Sequence, residues 1–412
     1  MTKLFKNIDC LMQTGLNKRL RVSGKEMSKI NSVENAYLLI RDDKILDYGK
    51  MTDLPKNRSY DDVEDLAGKY VFPSFCDSHT HLVYAGSREI EYNDKIRGLS
   101  YEEIAERGGG ILNSSKLINK ISEDELYRQS AKRIDEIISQ GTGAVEIKSG
   151  YGLTVKGELK MLRVIQRLKE SKPLQIKATF MGAHSVPMEY RNNKTAYVDL
   201  VVNEMLPNAA KENLADYIDV FCDKGFFTPQ DTDRILKAGL KYGLRGKIHA
   251  NELDYSGGIQ VGVKNNALSV DHLEYTGPEE IKALSGSETM PVILPGAAFF
   301  LNMKYAPARQ MIDAGLPVAI ATDFNPGSSP GGNMKLMMSF GAVNHKMITE
   351  ELIHAVTING AYAMGLSNDV GSITKGKIAN FFITKPIPSP EYLAYAYSSD
   401  LIDSVYLNGK KQ

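Results

Sequence analysis

The chain has 412 residues, of which 42% are hydrophobic and 24% are charged, and its 50 basic residues balance its 50 acidic residues. This usage is typical of a globular protein, so disorder and fibrous structure are excluded. The lack of a basic surplus argues against a nucleic-acid or anionic-membrane partner, and no apolar run approaches the roughly 18–20 residues that a membrane span needs.

The N-terminal residues lack the apolar core and the small-residue cleavage site of a secretory signal. The three cysteines, Cys10, Cys76 and Cys222, form no spaced disulfide framework. Both observations predict a cytoplasmic protein, since thiols stay reduced there.

The two ends of the chain have the pattern of β-strands. Residues 36–40 and 44–49 are apolar runs that flank a polar turn, which predicts a hairpin. Near the C-terminus, strands are predicted at residues 371–373, 378–383 and 403–407, with a turn at residues 408–409. Because each end has too few strands for a core of its own, we expect the two ends to pair into one small sheet-based domain.

Between the ends, predicted strands alternate with predicted helices. Ser122 and Glu125 form a capping-box sequence at the start of one helix, which Gly141 ends. Another helix is predicted over residues 156–170, and a third begins at Thr228 and Pro229 and ends near residue 243. Strands are predicted at residues 144–147, 174–180, 247–249, 268–272, 291–294 and 317–323.

This alternation is typical of βαβ units in a parallel sheet. At this chain length it favours a (β/α)8 barrel over an open doubly wound sheet. No Gly-x-Gly-x-x-Gly motif follows an early strand, which argues against the dinucleotide-binding alternative. The sequence therefore predicts an α/β protein with a barrel in the middle of the chain.

Five of the seven histidines lie at or just after apolar strands, and Asp323 ends another strand. These five are His79, His81, His184, His249 and His272. In a parallel barrel the chemistry gathers at the carboxyl ends of several strands. The distribution of the histidines therefore predicts an active site at that end of the barrel.

His79 and His81 follow the apolar run 70–77 and are two residues apart, so both side chains would point to the same face of a strand. Two such imidazoles are either an inert hydrogen-bonded pair or ligands of one metal ion. Because His249 and Asp323 lie at other strand ends, we favour the metal. Three imidazoles and one carboxylate suit a single ion, Zn²⁺ or iron as Fe²⁺ or Fe³⁺.

Four longer stretches carry a resemblance to a known family. They are DSHTHLVYAGSRE at residues 77–89, EIKSGYGL at 146–153, GAHSVP at 182–187 and TDFNPGS at 322–328. With the histidine pattern, they resemble the metal-dependent amidohydrolase superfamily. Over essentially the whole chain, the sequence is similar to the family in it that hydrolyses 4-imidazolone-5-propanoate.

The resemblance implies a (β/α)8 barrel over residues 71–366, beside a small β-sandwich domain built from residues 1–70 and 367–412. It also implies a homodimer that opens a cyclic amide to give N-formimidoyl-L-glutamate, the third step of L-histidine degradation. The implied ligands of a single metal ion are His79, His81, His249 and Asp323. The implied substrate contacts are Arg88, Tyr151, His184, Glu252, Asn325, Gly327 and Ser328.

Within that family, Arg88 would grip the substrate propionate with two parallel hydrogen bonds, to which Tyr151 adds a phenolic hydroxyl. Glu252 is the expected proton-transfer group, and Asp323 would pass a proton to the leaving nitrogen.

His272 would hydrogen-bond the attacking hydroxide or the developing oxyanion, and His184 would polarise the substrate carbonyl. Asn251 stands where the family often has aspartate. This difference calls into question one hydrogen bond behind the metal ligands but not the chemistry. Since the family uses one metal ion, we expect Lys148 to support the site and not to bridge two metals as a carboxylated lysine.

Two alternative functions stay open. A deaminase or cyclic amidohydrolase acting on a purine or pyrimidine would keep the metal, but a neutral base gives Arg88 and Tyr151 no carboxylate to bind. A barrel without catalysis, serving as a binding or assembly module, would be expected to lose metal ligands, and all four positions are filled here.

Overall fold

A sheet of eight parallel strands forms the centre of the computed structural model, which describes residues 1–16, 19–55, 59–99, 103 and 109–412. Its strands, in chain order, are Phe75–Asp77, Thr142–Lys148, Gln175–Ala183, Tyr217–Cys222, Arg245–Ala250, Ser269–His272, Met290–Ile293 and Ala319–Ile320. A parallel bridge between Thr80 and Phe324 joins the end of the last strand to the first. The predicted (β/α)8 barrel is therefore confirmed.

Helices separate the barrel strands along the chain. The α-helices are Glu89–Ile96, Ile111–Lys120, Glu123–Ser139, Val155–Ser171, Lys194–Leu200, Leu206–Lys211, Pro229–Leu240, Gly258–Lys264, Pro278–Leu284, Pro295–Leu301, Ala308–Asp313, Met334–His345, Thr349–Val356, Ile358–Tyr362 and Tyr392–Tyr395. Short 3-10 turns lie at Gly24–Ser28, Met51–Asp53 and Met188–Tyr190, and a π turn at Val201–Met205. Among the described helices, none has the length and apolar character to cross a membrane.

The helices predicted to begin after Ser122 and Thr228 do begin there, although only one of the two has a complete capping box. Ser122 accepts a hydrogen bond from the Glu125 backbone N–H, as the capping-box sequence predicts. The Glu125 carboxylate, however, accepts hydrogen bonds from Arg128 and Gln129 on its own helix. At Thr228 the box is complete, because the side chain of the third helical residue returns to the Thr228 N–H.

A second sheet of eight strands joins the two ends of the chain. Its strands are Thr2–Met12, Ser32–Arg41, Lys44–Lys50, Asp62–Asp65, Tyr70–Pro73, Phe381–Thr384, Ile402–Leu407 and Lys410–Lys411. Tyr70–Pro73 pairs with Thr2–Met12 on one side and with Phe381–Thr384 on the other. The expectation that both ends build one small β unit beside the barrel is therefore confirmed, whereas the division at residues 70/71 and 366/367 remains a proposal.

Three strand predictions were wrong in extent. The run 70–77 is broken at Ser74, whose N–H bonds to Asn380, so that Phe75–Asp77 alone enters the barrel. Residues 371–373 form only a single bridge, through Ile373. The last barrel strand is only Ala319–Ile320, within the predicted 317–323, and Asp323 beyond it takes a left-handed backbone conformation (φ 54°).

Four strands had no prediction: Thr2–Met12, Asp62–Asp65, Lys410–Lys411 and Tyr217–Cys222. The last of these carries Asp219 in its middle, although every residue of the strand is buried. A carboxylate inside a buried strand breaks the apolar pattern on which strand prediction depends.

Gly360 shows how closely the helix Ile358–Tyr362 packs on the barrel. A Cβ at this position would collide with the carbonyl oxygen of Cys76 in the first strand. We expect Gly360→Ala to lower the free energy of unfolding by roughly 1–3 kcal/mol. The clashing atom is a backbone carbonyl oxygen, which cannot rotate away from the new methyl group as a side chain could. The measurement is thermal denaturation beside Gly331→Ala, whose new Cβ would meet no described atom within 4 Å. Equal melting temperatures for the two variants would contradict this packing.

Candidate active site

Three histidine rings meet at the carboxyl ends of the first and fifth barrel strands. The Nε2 atoms of His81 and His249 are 3.1 Å apart, and the potential ligand atoms of these two residues and His79 all lie within 4.8 Å of one another. The Asp323 carboxylate, after the last strand, lies 3.4 Å from His79 Nε2 and 3.9 Å from His81 Nε2. The structure thus brings together all four residues that the sequence assigned to the metal.

The other nitrogen of each ring faces an oxygen acceptor. The Nδ1 contacts are Asp271 Oδ2 for His79 (2.6 Å), Asp219 Oδ1 for His249 (3.0 Å) and the Ser149 carbonyl oxygen for His81 (3.4 Å). In a neutral imidazole, the ring nitrogen that faces an acceptor carries the proton and the other nitrogen keeps a lone pair, which is the form that binds a metal through Nε2. Asp219 and Asp271 were not predicted as site residues. An acidic residue inside a short, buried barrel strand could have indicated such a role, because a buried carboxylate needs a polar partner.

This cluster fits a metal ion. The potential ligand atoms of the three rings lie in one small buried volume, and His79 Nε2 has no hydrogen-bond partner in the described part of the chain. Nitrogen ligands about 2.0–2.1 Å from a tetrahedral ion lie roughly 3.3–3.4 Å apart, close to the separation of His81 and His249. Burial holds the pKa of His79 and of His81 well below the usual range, so both rings are in the neutral, ligating form.

A cavity of about 360 Å³ opens beside the histidines and is large enough for a small-molecule substrate. Its polar wall consists of His81, Arg88, Lys95, Tyr151, His184, His249, Glu252, His272, Asp323, Asn325 and Ser328, and Gly327 is also part of the lining. Its apolar wall consists of Ile111, Phe221, Phe226, Leu253 and Leu301. Every substrate or catalytic residue expected from the sequence lies here, whereas Lys95 and the apolar wall carried no sequence signal.

Arg88 occupies one end of this cavity. Its Nε donates a hydrogen bond of 2.7 Å to Glu91, and its guanidinium lies so close to Gly327 that a Cβ there would collide with Nη1. Asn325 Oδ1 accepts hydrogen bonds from the N–H groups of Gly327 (2.7 Å) and Ser328 (2.8 Å). The loop after Asp323 therefore packs against the Arg88 guanidinium, whose Nε is paired with Glu91.

A buried carboxylate holds the loop that carries Tyr151. Glu158 accepts hydrogen bonds from the N–H groups of Gly150 (3.0 Å), Gly152 (2.7 Å) and Leu153 (2.9 Å). Three backbone donors fix the carboxylate, and through it the position of the loop. Tyr151 is thereby placed in the cavity wall.

His184 packs against the same loop. Its Nδ1 donates to the Gly150 carbonyl oxygen at 3.0 Å, and burial lowers the pKa of His184 to about 3, with a further contribution from the nearby His249. The ring is therefore neutral, and its Nε2 is a hydrogen-bond acceptor.

Glu252 and His272 lie next to each other on the cavity wall, with 3.7 Å between Glu252 Oε2 and His272 Nε2. Burial, together with the carboxylates of Asp323 and Asp223, raises the pKa of Glu252 to about 8. A carboxyl group that titrates near neutral pH can accept a proton and return it.

Asn251, the departure from the family pattern, is turned away from the histidines. Its amide nitrogen donates to the Tyr275 carbonyl oxygen, and its Oδ1 accepts from Ser256, both at 2.8 Å. The acceptor behind His249 is instead Asp219, whose Oδ1 lies 3.0 Å from Nδ1 of the ring.

Comparison with known proteins agrees with this geometry. Residues 70–411 match the Amidohydrolase family. The chain is 57% identical over 410 residues to imidazolonepropionase of Christiangramia forsetii and 55% identical to that of Flavobacterium johnsoniae, with 100% of both chains covered in each case. It is 40% identical to imidazolonepropionase of Thermoanaerobacter pseudethanolicus, covering 93% of this chain and 91% of the relative.

Two solved structures show the same fold. Guanine deaminase from C. acetobutylicum, with bound guanine, has a TM-score of 0.74 at 16% identity and 100% coverage of both chains. A mutant of atrazine chlorohydrolase from Arthrobacter aurescens TC1, complexed with zinc and atraton, has a TM-score of 0.73 at 17% identity, covering 99% of this chain and 94% of that one. The chain belongs to the amidohydrolase family and, within it, to the imidazolonepropionases.

Proposed function

We propose that this imidazolonepropionase family member hydrolyses 4-imidazolone-5-propanoate to N-formimidoyl-L-glutamate with the cavity residues in the roles described below. The supporting observation is that one small cavity joins a cluster of three histidines and a carboxylate to a guanidinium. In the reaction, a water oxygen bonds to the ring carbonyl carbon and the carbon–nitrogen bond breaks. The carbonyl carbon becomes a carboxylate, and the ring nitrogen leaves with a proton.

We assign one metal ion, zinc or iron, to the histidine cluster. Its ligands would be His79, His81, His249 and Asp323. A bound ion supplies Lewis-acid chemistry, since it lowers the pKa of coordinated water and polarises a carbonyl oxygen. Imidazole and carboxylate ligands suit zinc and iron alike.

Glu252 is assigned to proton transfer. Its raised pKa allows the ionised carboxylate to take a proton from the attacking water and to release it toward the ring nitrogen. Asp323, also on the cavity wall, is placed to pass a proton to the leaving nitrogen, and His272 to hydrogen-bond the attacking water.

The proposed role of His184 differs from the one expected from the sequence. Polarising a carbonyl needs a donor, but the Nδ1 proton of His184 is already directed at Gly150, which leaves Nε2 as an acceptor. We therefore assign His184 to accept a hydrogen bond from an N–H of the substrate ring, which orients the ring in the cavity.

Arg88, with Tyr151 beside it, is assigned to the propionate. We expect Arg88→Ala to raise KM by roughly 10- to 100-fold with a smaller change in kcat, because hydrogen bonds to a charged group contribute about 1.5–3 kcal/mol. Metal content should stay unchanged. The measurement is steady-state kinetics beside Arg128→Ala, which removes an exposed arginine paired with Glu125. An unchanged KM in Arg88→Ala would contradict the carboxylate-binding role.

The function itself is tested by adding freshly made 4-imidazolone-5-propanoate to the metal-loaded protein and following the loss of its ultraviolet absorption. The expected result is enzyme-dependent loss with formation of N-formimidoyl-L-glutamate. A protein that leaves this compound intact but deaminates a purine or pyrimidine would favour the alternative function.

We further propose that the enzyme acts in the cytoplasm as a homodimer. The resemblance to the family supports the dimer, and the three free, buried cysteines suit a reducing compartment. Light scattering on the purified protein tests the dimer, since the proposal requires twice the mass of one chain.

A further inference from the structure

Lys148, the last residue of the second barrel strand, is fully buried and touches three carboxylates. Its Nζ lies 2.7 Å from Glu146 Oε1 and 2.7 Å from Asp219 Oδ2, and 3.7 Å from Asp271 Oδ2. Asp219 and Asp271 come from two other strands, the fourth and the sixth of the barrel. One ammonium group thus joins carboxylates that are far apart in sequence.

Asp219 and Asp271 are the acceptors that face the Nδ1 atoms of His249 and His79, respectively. Asp219 divides its two oxygens, with Oδ1 toward His249 and Oδ2 toward Lys148, whereas Oδ2 of Asp271 faces both His79 and Lys148. Lys148 thus lies against both carboxylates that face two of the three histidine rings.

The three carboxylates also set the charge of Lys148. Burial opposes the charged form, but Asp219, Glu146 and Asp271 together raise the pKa of the lysine above its usual value. A carboxylated Lys148 would place another negative group among these three, so the arrangement argues against a metal-bridging lysine.

We propose that Lys148 is a positioning residue for the metal centre, which acts by holding Asp219 and Asp271 against the Nδ1 atoms of His249 and His79. The inference rests on the proposed metal role of the histidines. Partners behind the ligands fix the tautomer and direction of ligating imidazoles, and their loss costs about 10- to 100-fold in metal affinity.

Two other roles for the lysine predict different results. If Lys148 acted only through its charge, its removal would strengthen metal binding, because one cation repels another. If it only stabilised the fold, loss of any similar buried lysine would have the same effect. Lys247 is that comparison: it is equally buried, and its Nζ contacts Glu146 Oε2 at 2.6 Å and the carbonyl oxygens of Ser78 and Ala363 at 3.0 Å.

The experiment measures zinc affinity of the full-length apo protein by competition with a chelator, for the parent, Lys148→Met and Lys247→Met. We expect Lys148→Met to raise the Kd for zinc by roughly 10- to 100-fold. Lys247→Met should leave the Kd close to that of the parent, although both variants lose a buried ion pair and melt at a lower temperature.

An equal or tighter zinc Kd in Lys148→Met, or equal weakening in both variants, would overturn the proposal. Should Lys148→Met fail to fold, the comparison moves to Lys148→Met/Glu146→Gln and Lys247→Met/Glu146→Gln, which carry one buried negative charge less. A parent protein that binds neither zinc nor iron would instead defeat the proposed function, so the two failures are distinguishable.

Discussion

Replacing His249 with alanine is expected to lower kcat/KM for 4-imidazolone-5-propanoate by about three orders of magnitude or more and to remove the bound metal. His249 lies at the centre of the cluster, with its Nε2 3.1 Å from that of His81 and its Nδ1 held by Asp219. Without this ring the ion loses a ligand, and the Lewis-acid contribution of several kcal/mol is lost with it. A tenfold change in rate corresponds to about 1.4 kcal/mol.

The measurement combines steady-state kinetics with elemental analysis of the purified variant. A suitable control is His345→Asn, which alters a buried histidine that bonds to the Ala306 carbonyl oxygen and lies outside the cavity lining. This control should keep its metal and most of its activity. Stoichiometric metal in His249→Ala, with near-normal kcat/KM, would contradict the assignment of the ligands.

Replacing Glu252 with glutamine is expected to reduce kcat by roughly 100- to 10,000-fold, the usual contribution of a positioned acid–base group, while metal content stays that of the parent. Glutamine keeps the size of the side chain but cannot take up or release a proton. The effect should therefore appear in kcat more than in KM.

The pH dependence of activity provides a second test of the role of Glu252. The proposed base is the ionised carboxylate, and burial raises the pKa of Glu252 to about 8. Activity of the parent should therefore fall as the pH drops through the pKa of Glu252, because the proton occupies the accepting oxygen. Glu252→Gln should lack this acidic limb, whereas Glu212→Gln, which alters an exposed partner of Arg163, should keep it. Full activity with an unchanged pH profile in Glu252→Gln would contradict the assignment.

Much of the fold could be predicted from the sequence because the barrel repeats a local pattern. Apolar runs separated by helical segments predicted most of the barrel strands. Two apolar runs and a polar turn likewise predicted the hairpin that the structure shows within residues 32–50. Pairing of the strand Tyr70–Pro73 with Phe381–Thr384 joins residues more than 300 positions apart, for which no local pattern exists. The strand Tyr217–Cys222 was missed because Asp219 interrupts its apolar character.

The proposed metal ligands share a local signal in the sequence. Histidines two residues apart on a strand must share a face, and histidine or aspartate at other strand ends must meet them at the same end of a barrel. The substrate residues followed from a resemblance and not from spacing.

The supporting groups could not be predicted in the same way. The contacts of Lys148 with Asp219 and Asp271 join three strands, and the proton position on His184 depends on the carbonyl of Gly150. Such roles depend on which atoms face each other in the folded chain, and the residue types alone do not determine this.

In our proposal, three imidazoles and one carboxylate from remote parts of the chain hold one catalytic metal ion. Anomalous diffraction at the zinc absorption edge, from crystals of the zinc-loaded protein, locates such an ion. We expect one peak, with Nε2 of His79, His81 and His249 and an oxygen of Asp323 at about 2.0–2.2 Å. A zinc peak bound by other residues, or no peak among these four side chains, would contradict it.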